Sequence, residues 1–198
     1  MKALLIAEYR DGKLLGGNNE LMAFAEKMGM ESAMVLVGSE SALPKFEGTL
    51  YLADAEQCGE YNPSLHRDII LQAVDKEQPD IVVFSHTSYG WDLAPRVAYA
   101  MKAAQVSEVV DVVDGVPVVP VCNAKLRRNV EVATDKAVYT LQAGAFNLAD
   151  EPAGTPAVQK LGCDGDAKIT FDGYEAAETG GVDLSKAEVI VSAGRGIG

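Results

Sequence analysis

From Ala3 to Ala7 the chain is continuously apolar, the pattern of a strand covered on both faces of a parallel sheet. Asp11-Gly12 marks a turn, and Leu21, Phe24, Ala25 and Met28 then repeat at the spacing of one helical face. Asn18 or Asn19 can cap that helix and Gly29 can end it. Ala33–Val37 predicts a second strand and Leu50–Leu52 a short third. Asn62-Pro63 supplies an N-cap followed by proline at the first helical position. The helix it opens carries His66, Ile69, Ile70, Ala73 and Val74 on one side and stops before Pro79. Ile81–Phe84 is another fully apolar strand, followed by a helix from about Trp91 to Lys102. Strand and helix alternating in this rhythm give βαβ units, hence an α/β fold: a mainly parallel sheet in three layers with helices on both faces.

After Val106 the pattern shortens. Val109–Val113, Val116–Cys122, Asn129–Val132 and Ala137–Leu141 are brief runs separated by turns. Asp114-Gly115 between apolar strands signals a hairpin, and Thr134-Asp135-Lys136 can close a second. The expectation is an antiparallel β extension on the parallel core. Asn147–Asp166 is rich in Asp, Gly, Pro and Ala and reads as a surface linker. Lys168–Phe171 could add an edge strand, and Glu178–Lys186 leads to a last apolar strand at Val189–Val191. That strand runs into Gly194-Arg195-Gly196, a loop of the kind that opens a helix whose free N–H groups receive phosphate. No repeat or low-complexity tract is present.

Composition narrows the classes. A chain of 198 residues can bury roughly 70% of its unfolded surface, so it needs no staple to fold. A formal net charge of -12 excludes sequence-independent nucleic-acid binding, which depends on Lys and Arg neutralising phosphates. The apolar start ends at Glu8, too short for a signal peptide or a membrane span, so no direct membrane insertion is expected. Cys58, Cys122 and Cys163 form neither a disulfide framework nor a C-x-x-C pair, which points to a reducing cytoplasm.

Few residues offer chemistry. His66 lies among aliphatic side chains and reads as structural. His86 stands at the carboxyl end of a parallel strand, the edge where open α/β sheets bind ligands, and is a candidate general base. It has no nucleophile motif beside it, so no catalytic residue is assigned. No convergent metal ligands are visible. Lys125-Leu126-Arg127-Arg128 reads as the solvated face of a strand edge. The densest constellation is Thr87-Ser88-Tyr89-Gly90-Trp91-Asp92-Leu93-Ala94-Pro95-Arg96-Val97-Ala98. There Thr87, Ser88 and Gly90 allow a sharp strand-to-helix turn, and Asp92 can pair with Arg96 one turn on. Pro95 is expected in the opening turns, where no helical hydrogen bond is lost.

At this segment the chain resembles the alpha subunit of electron transfer flavoproteins, whose signature reads T-S-x-G-x-D-L-A-P-R-V-A. The resemblance extends to Ala7-Glu8 with Gly12, Pro79-Asp80, Gly144-Ala145-Phe146 and Val182-Asp183-Leu184-Ser185-Lys186-Ala187. Val191-Ser192-Ala193-Gly194-Arg195-Gly196 is similar to the family's V-S-G-G-R-G. Gln142-Ala143 stand where the family has Arg-Pro, and Ala193 where it has glycine.

The resemblance implies an N-terminal α/β domain over residues 1–187, of adenine-nucleotide-hydrolase-like type, that scaffolds a heterodimer with a beta subunit. Residues 188–198 would then be the first strand and glycine-rich loop of an FAD-binding domain, with Gly194, Arg195 and Gly196 at the cofactor. The whole subunit would be an electron carrier, not an enzyme. It would take electrons from acyl-CoA or other dehydrogenases to a quinone reductase or another acceptor. FAD is expected in the full-length protein and not on this stretch alone. Micromolar affinity needs about 8 kcal/mol, and a few loop N–H donors supply roughly 1 kcal/mol each. The alternatives are an AMP- or ATP-binding α/β enzyme using the Thr87–Asp92 edge, and a stand-alone interaction domain.

Overall fold

A computed structural model describes residues 1–165, 167–175, 187–194 and 196. The first half contains β1 (Lys2–Ala7), β2 (Tyr9–Arg10), β3 (Lys13–Leu14), α1 (Asn18–Lys27), β4 (Glu31–Gly38), β5 (Thr49–Asp54), α2 (Ala55–Cys58), α3 (Pro63–Glu77), β6 (Ile81–Ser85) and α4 (Ser88–Met101). The second half contains β7 (Ala104–Val109), β8 (Asp111–Val113), β9 (Val116–Val121), β10 (Leu126–Asn129), β11 (Ala137–Leu141) and β12 (Ala157–Lys160).

Among the described residues, seven strands form one sheet in the order β12-β5-β4-β1-β6-β11-β7. Every neighbouring pair in it is parallel. Successive side chains of a strand point to opposite faces, and the apolar runs therefore feed two cores. Leu5, Met34, Leu36 and Val83 pack with Leu21 and Phe24 of α1 on one face. Leu4, Ile6, Val35 and Val82 pack with Ile69, Ile70, Leu93 and Val97 of α3 and α4 on the other. The result is the three-layer α/β arrangement expected from the strand–helix rhythm. Each fully buried Leu, Ile or Phe contributes on the order of 1.5–3 kcal/mol, so these two cores supply most of the stabilisation.

The antiparallel extension is present as β10-β9-β8, closed by the expected Asp114-Gly115 turn. Val112 and Val119 join the core on the α1 face, and Lys27 of α1 bonds Asp111 at 2.6 Å. Leu126–Asn129 is the outer strand of this sheet, exposed throughout, so Lys125–Arg128 is indeed a solvated edge.

Several expectations need correction. Ala137–Leu141 does not close a second hairpin. It is fully buried between β6 and β7 in the parallel sheet, and Thr134-Asp135-Lys136 instead returns the chain to that sheet. The supposed linker 147–166 contains an edge strand, β12, paired with β5. Lys168–Phe171 forms no strand, because β12 already occupies the sheet edge beside β5. Val189–Val191 forms no strand either: it lies in the open, with Val189 80% and Val191 94% exposed, and among the described residues it pairs with no other strand. Glu178–Lys186 lies outside the described residues.

At its start α1 uses neither asparagine as a cap. Gly17 occupies that position without a side-chain bond, and Asn18 turns inward to the backbone of Glu8. α4 begins at Ser88, earlier than expected, so Pro95 sits past the first turn and leaves the Trp91 carbonyl without its helical donor. Finally, Cys58 and Cys163 are bonded as a disulfide with Cα atoms 5.5 Å apart, which their sequence separation of 105 had concealed. Cys122 is exposed and free.

Candidate functional site

β1 and β6 are adjacent at the sheet centre, but the chain leaves them toward opposite faces: β1 leads to α1 and β6 to α4. Between their carboxyl ends lies the topological switch point, where open α/β sheets form their crevice. A cavity of about 390 Å³ occupies it, with Glu8 and Thr87 at its floor and Tyr9, Tyr61, Phe171 and Tyr174 among its walls. A smaller cavity of about 190 Å³ continues past Glu8 and Thr87 toward Gly17 and Ser85.

The floor is fixed by backbone and side chain together. Glu8 follows β1 directly. Its N–H donates to Asn18 Oδ1 at 2.8 Å, and its carbonyl accepts from Asn18 Nδ2 at 2.9 Å. This reciprocal pair ties the end of β1 to the start of α1. Glu8 is 6% exposed, and its carboxyl accepts the Thr87 hydroxyl at 2.6 Å. Burial raises its pKa, and the Thr87 bond and the nearby Arg10 charge offset this only in part.

Thr87 also starts α4. Its backbone is extended, and Oγ1 accepts the Gly90 N–H at 3.2 Å, the bond of an N-cap. Gly90 is required for a reason other than φ. A Cβ there would overlap the carbonyl oxygen of Ser85 and press on Phe84. The T-S-x-G stretch is therefore a cap followed by the one residue that lets the helix lie against β6. One turn on, Asp92 accepts the Tyr61 hydroxyl at 2.6 Å and Arg96 Nη2 at 2.9 Å. Desolvation pushes Asp92 up, but these two donors outweigh it and hold the carboxyl below its usual range. Burial, reinforced by Asp92, pushes the Tyr61 hydroxyl up to about 12.

Both histidines have structural partners. His66 is fully buried, and its Nε2 lies 2.9 Å from the Gly59 carbonyl, which can only accept. Nε2 therefore carries the proton, and Nδ1 accepts the Tyr89 hydroxyl at 3.0 Å. Burial lowers the His66 pKa and the Gly59 bond opposes this, so the ring is kept neutral. His86 does not face the crevice. Its Nδ1 meets the buried Thr140 hydroxyl at 2.8 Å and its Nε2 lies 3.3 Å from Glu108. The register irregularity of β7 against β11 gives Glu108 a φ of 56° and aims its N–H at the same hydroxyl. His86 thus belongs to a latch between β6, β11 and β7, and the general-base reading loses its support.

Phosphate recognition is disfavoured by the local bonding and charge. The first N–H groups of α1, beside the smaller cavity, already donate to the carbonyls of Leu15, Gly16 and Gly17. Two acidic side chains, Glu8 and Glu60, line the larger cavity against one basic side chain, Arg10. What the crevice offers is aromatic surface with a few hydrogen-bonding groups.

Sequence reasoning missed Glu20. From the first turn of α1 it accepts the Gly144 N–H at 2.9 Å and the Phe146 N–H at 3.4 Å. Gly144 takes φ 79°, and Phe146 packs edge-on against Phe24, centroids 5.4 Å apart. The G-A-F stretch is a turn clasped by one carboxylate. Gln142 and Ala143, beside it, are exposed. In the tail, Gly194 and Gly196 are exposed, and a Cβ on either would meet nothing within 4 Å. Arg195 lies outside the described residues. No group of three or more His, Cys, Asp or Glu able to hold a metal ion occurs among the described residues. Nor, among them, is any helix long and apolar enough to cross a membrane.

A doubly wound α/β domain with an aromatic switch-point crevice and a glycine-dependent start to α4 is the class defined by fold and site. Residues 3–164 match the electron transfer flavoprotein domain, and the chain belongs to that family. It is 26% identical to the electron transfer flavoprotein subunit alpha of Syntrophomonas wolfei subsp. wolfei, over 97% of this chain and 64% of that protein. It is 26% identical to the subunit alpha of Bacillus subtilis, over 99% of this chain and 65% of the relative. Against that of Megasphaera elsdenii it is 25% identical, over 98% and 63%. The chain thus spans a little under two thirds of the length of these relatives.

Proposed function

We propose that the chain is the N-terminal part of an electron transfer flavoprotein alpha subunit. In this reading, residues 1–187 form the α/β domain that scaffolds a heterodimer with the beta subunit. Residues 188–198 begin the FAD-binding domain, with Gly194, Arg195 and Gly196 reaching the cofactor in the full-length protein. The whole protein carries electrons from acyl-CoA or other dehydrogenases to a quinone reductase or another acceptor, and it works in the cytoplasm. When bound, FAD supplies the redox chemistry; this domain's own residues hold the scaffold.

The observation that carries the reading is the Thr87–Ala98 segment. Its glycine is demanded by Ser85 and its threonine is both cap and donor, in a chain matched to the family from residue 3 to residue 164. The crevice favours a carrier over a nucleotide-using enzyme. Glu8, His66 and His86 are each bound to structural partners, and the α1 N–H groups are already used.

Flavin content tests the proposal. The full-length subunit purified with its beta subunit is expected to hold FAD near stoichiometry and to lose most of it in the Arg195→Ala variant. Residues 1–198 alone are expected to be colourless. Near-stoichiometric flavin on residues 1–198, or an Arg195→Ala heterodimer with full FAD, would overturn it.

A further inference from the structure

Cys58 ends α2 and Cys163 follows β12, and the bond between them staples two segments that both reach the crevice. Just beyond Cys58 come Glu60 and Tyr61 on one wall; beyond Cys163 come Phe171 and Tyr174 on the other. Residues 167–175 belong to no helix or strand and are almost wholly exposed. Among the described residues their noncovalent ties are few. The Ile169 carbonyl accepts from Asn62 Nδ2 at 2.9 Å, and the Tyr174 hydroxyl donates to Glu60 and accepts the Asp11 N–H at 3.2 Å. The Arg10 guanidinium sits 5.6 Å from the Tyr174 ring centroid. Phe171 packs on Tyr174 with centroids 5.1 Å apart. A segment held this loosely depends on its covalent anchor.

The two sulfurs are unequal. Cys58 is 3% exposed, whereas Cys163 is only half-buried and is the sulfur an outside reagent meets. The Asp54 carbonyl lies 3.7 Å from Cys163 Sγ, so a reduced Cys163 thiol finds an acceptor already in place.

We propose that Cys58 and Cys163 form a reversible dithiol–disulfide site that takes low-molecular-weight disulfides and, when oxidised, clamps the Phe171–Tyr174 wall over the crevice. The Cys163 thiolate attacks one sulfur of the small disulfide, forming a mixed disulfide and expelling one thiolate. The Cys58 thiolate then attacks Cys163 Sγ, forming the internal bond and expelling the second. Two protein thiols are oxidised, one small disulfide is reduced to two thiols, and the two protons pass to the departing thiolates. The site does not depend on the proposed function, since it needs neither flavin nor a beta subunit.

The test uses the full chain carrying Cys122→Ser, which removes the exposed free thiol. After dithiothreitol, denaturation and maleimide, two labels are expected; after oxidised glutathione, none, with no glutathione mass retained. Trypsin cleavage after Lys168 in the native protein should be about tenfold slower in the oxidised form. Cys163→Ser, and separately Cys58→Ala, should be cleaved like the reduced protein in either buffer. Two labels after oxidation, a glutathione adduct that never resolves, or equal cleavage in both states would overturn the proposal.

Discussion

The Thr87 hydroxyl donates to the Glu8 carboxyl across 2.6 Å and, through the same oxygen, accepts the Gly90 N–H in the first turn of α4. One side chain therefore joins the carboxyl ends of β1 and β6 and starts the helix that carries the family signature. Removing it should cost twice. Thr87→Ala loses a cap, about 1 kcal/mol, and leaves a buried carboxyl without its donor, about 1–3 kcal/mol more. Thr87→Ser should recover most of both. Urea midpoints of the three proteins measure this, and equal midpoints for the alanine and serine variants would contradict it.

Glu8 gives a pH signature. Its folded pKa is raised by burial, so the native state binds its proton more tightly than the unfolded state does. The stability it contributes is fully present below the ordinary value of 4.5 and is lost as pH rises through the folded value. Glu8→Gln keeps the acceptor for Thr87 and removes the charge. It should be more stable than the parent at pH 8, by about 1.4 kcal/mol per unit of upward shift, and nearly equal to it at pH 4.5. Thermal unfolding of both proteins across this range tests the sign.

His66 acts in the opposite direction. Burial depresses its folded pKa, so the unfolded chain takes up the proton first. Its contribution is intact above the ordinary value of 6.5 and is lost as pH falls from there through the depressed folded value. Imidazole ¹⁵N shifts should show a neutral ring protonated at Nε2 at pH 6. A ring already charged at that pH would contradict the Gly59 and Tyr89 assignments.

In an exposed helix interior, glycine to alanine gains up to about 1 kcal/mol. At Gly90 the sign should reverse. The added methyl meets the Ser85 carbonyl and Phe84, neither of which can yield without moving β6, so a loss of about 1–3 kcal/mol or more is expected. Denaturant unfolding of Gly90→Ala reads this directly.

Reduction should also weaken the fold. Closing a loop with sequence separation 105 restricts the unfolded chain by up to about 4.7 kcal/mol in the chain-entropy account. The oxidised protein should therefore unfold at distinctly higher urea than the reduced one.

What was readable in the chain follows from what burial imprints on it. β1, β4 and β6 are continuous apolar runs because both faces are covered, and α3 announces itself by Asn62-Pro63 and its aliphatic stripe. β12 was unreadable: Ala157–Lys160 is exposed at every position, and its pairing with β5 is made by backbone groups that leave no side-chain pattern. β11 carried a usable signal, since Ala137–Leu141 is as uniformly buried as the other central strands and only Thr140 interrupts its apolar run. The nearby hairpin runs drew it to the wrong sheet. Glu20 looked like an ordinary first-turn acid, and nothing local tells that it clasps a turn 124 residues away. The Cys58–Cys163 pairing likewise exists only once β5, α2 and β12 are brought together. Of the candidate site, the Thr87–Asp92 edge was legible as a helix start, whereas its bond to Glu8 and the wall from Phe171 and Tyr174 were not.

The central claim is that this α/β domain scaffolds a heterodimer, and complex formation measures it most directly. The chain should be mixed at micromolar concentration with the electron transfer flavoprotein beta subunit of the same source and weighed by light scattering during size exclusion. A one-to-one complex that forms without added flavin is expected. Two separately eluting monomers would contradict it.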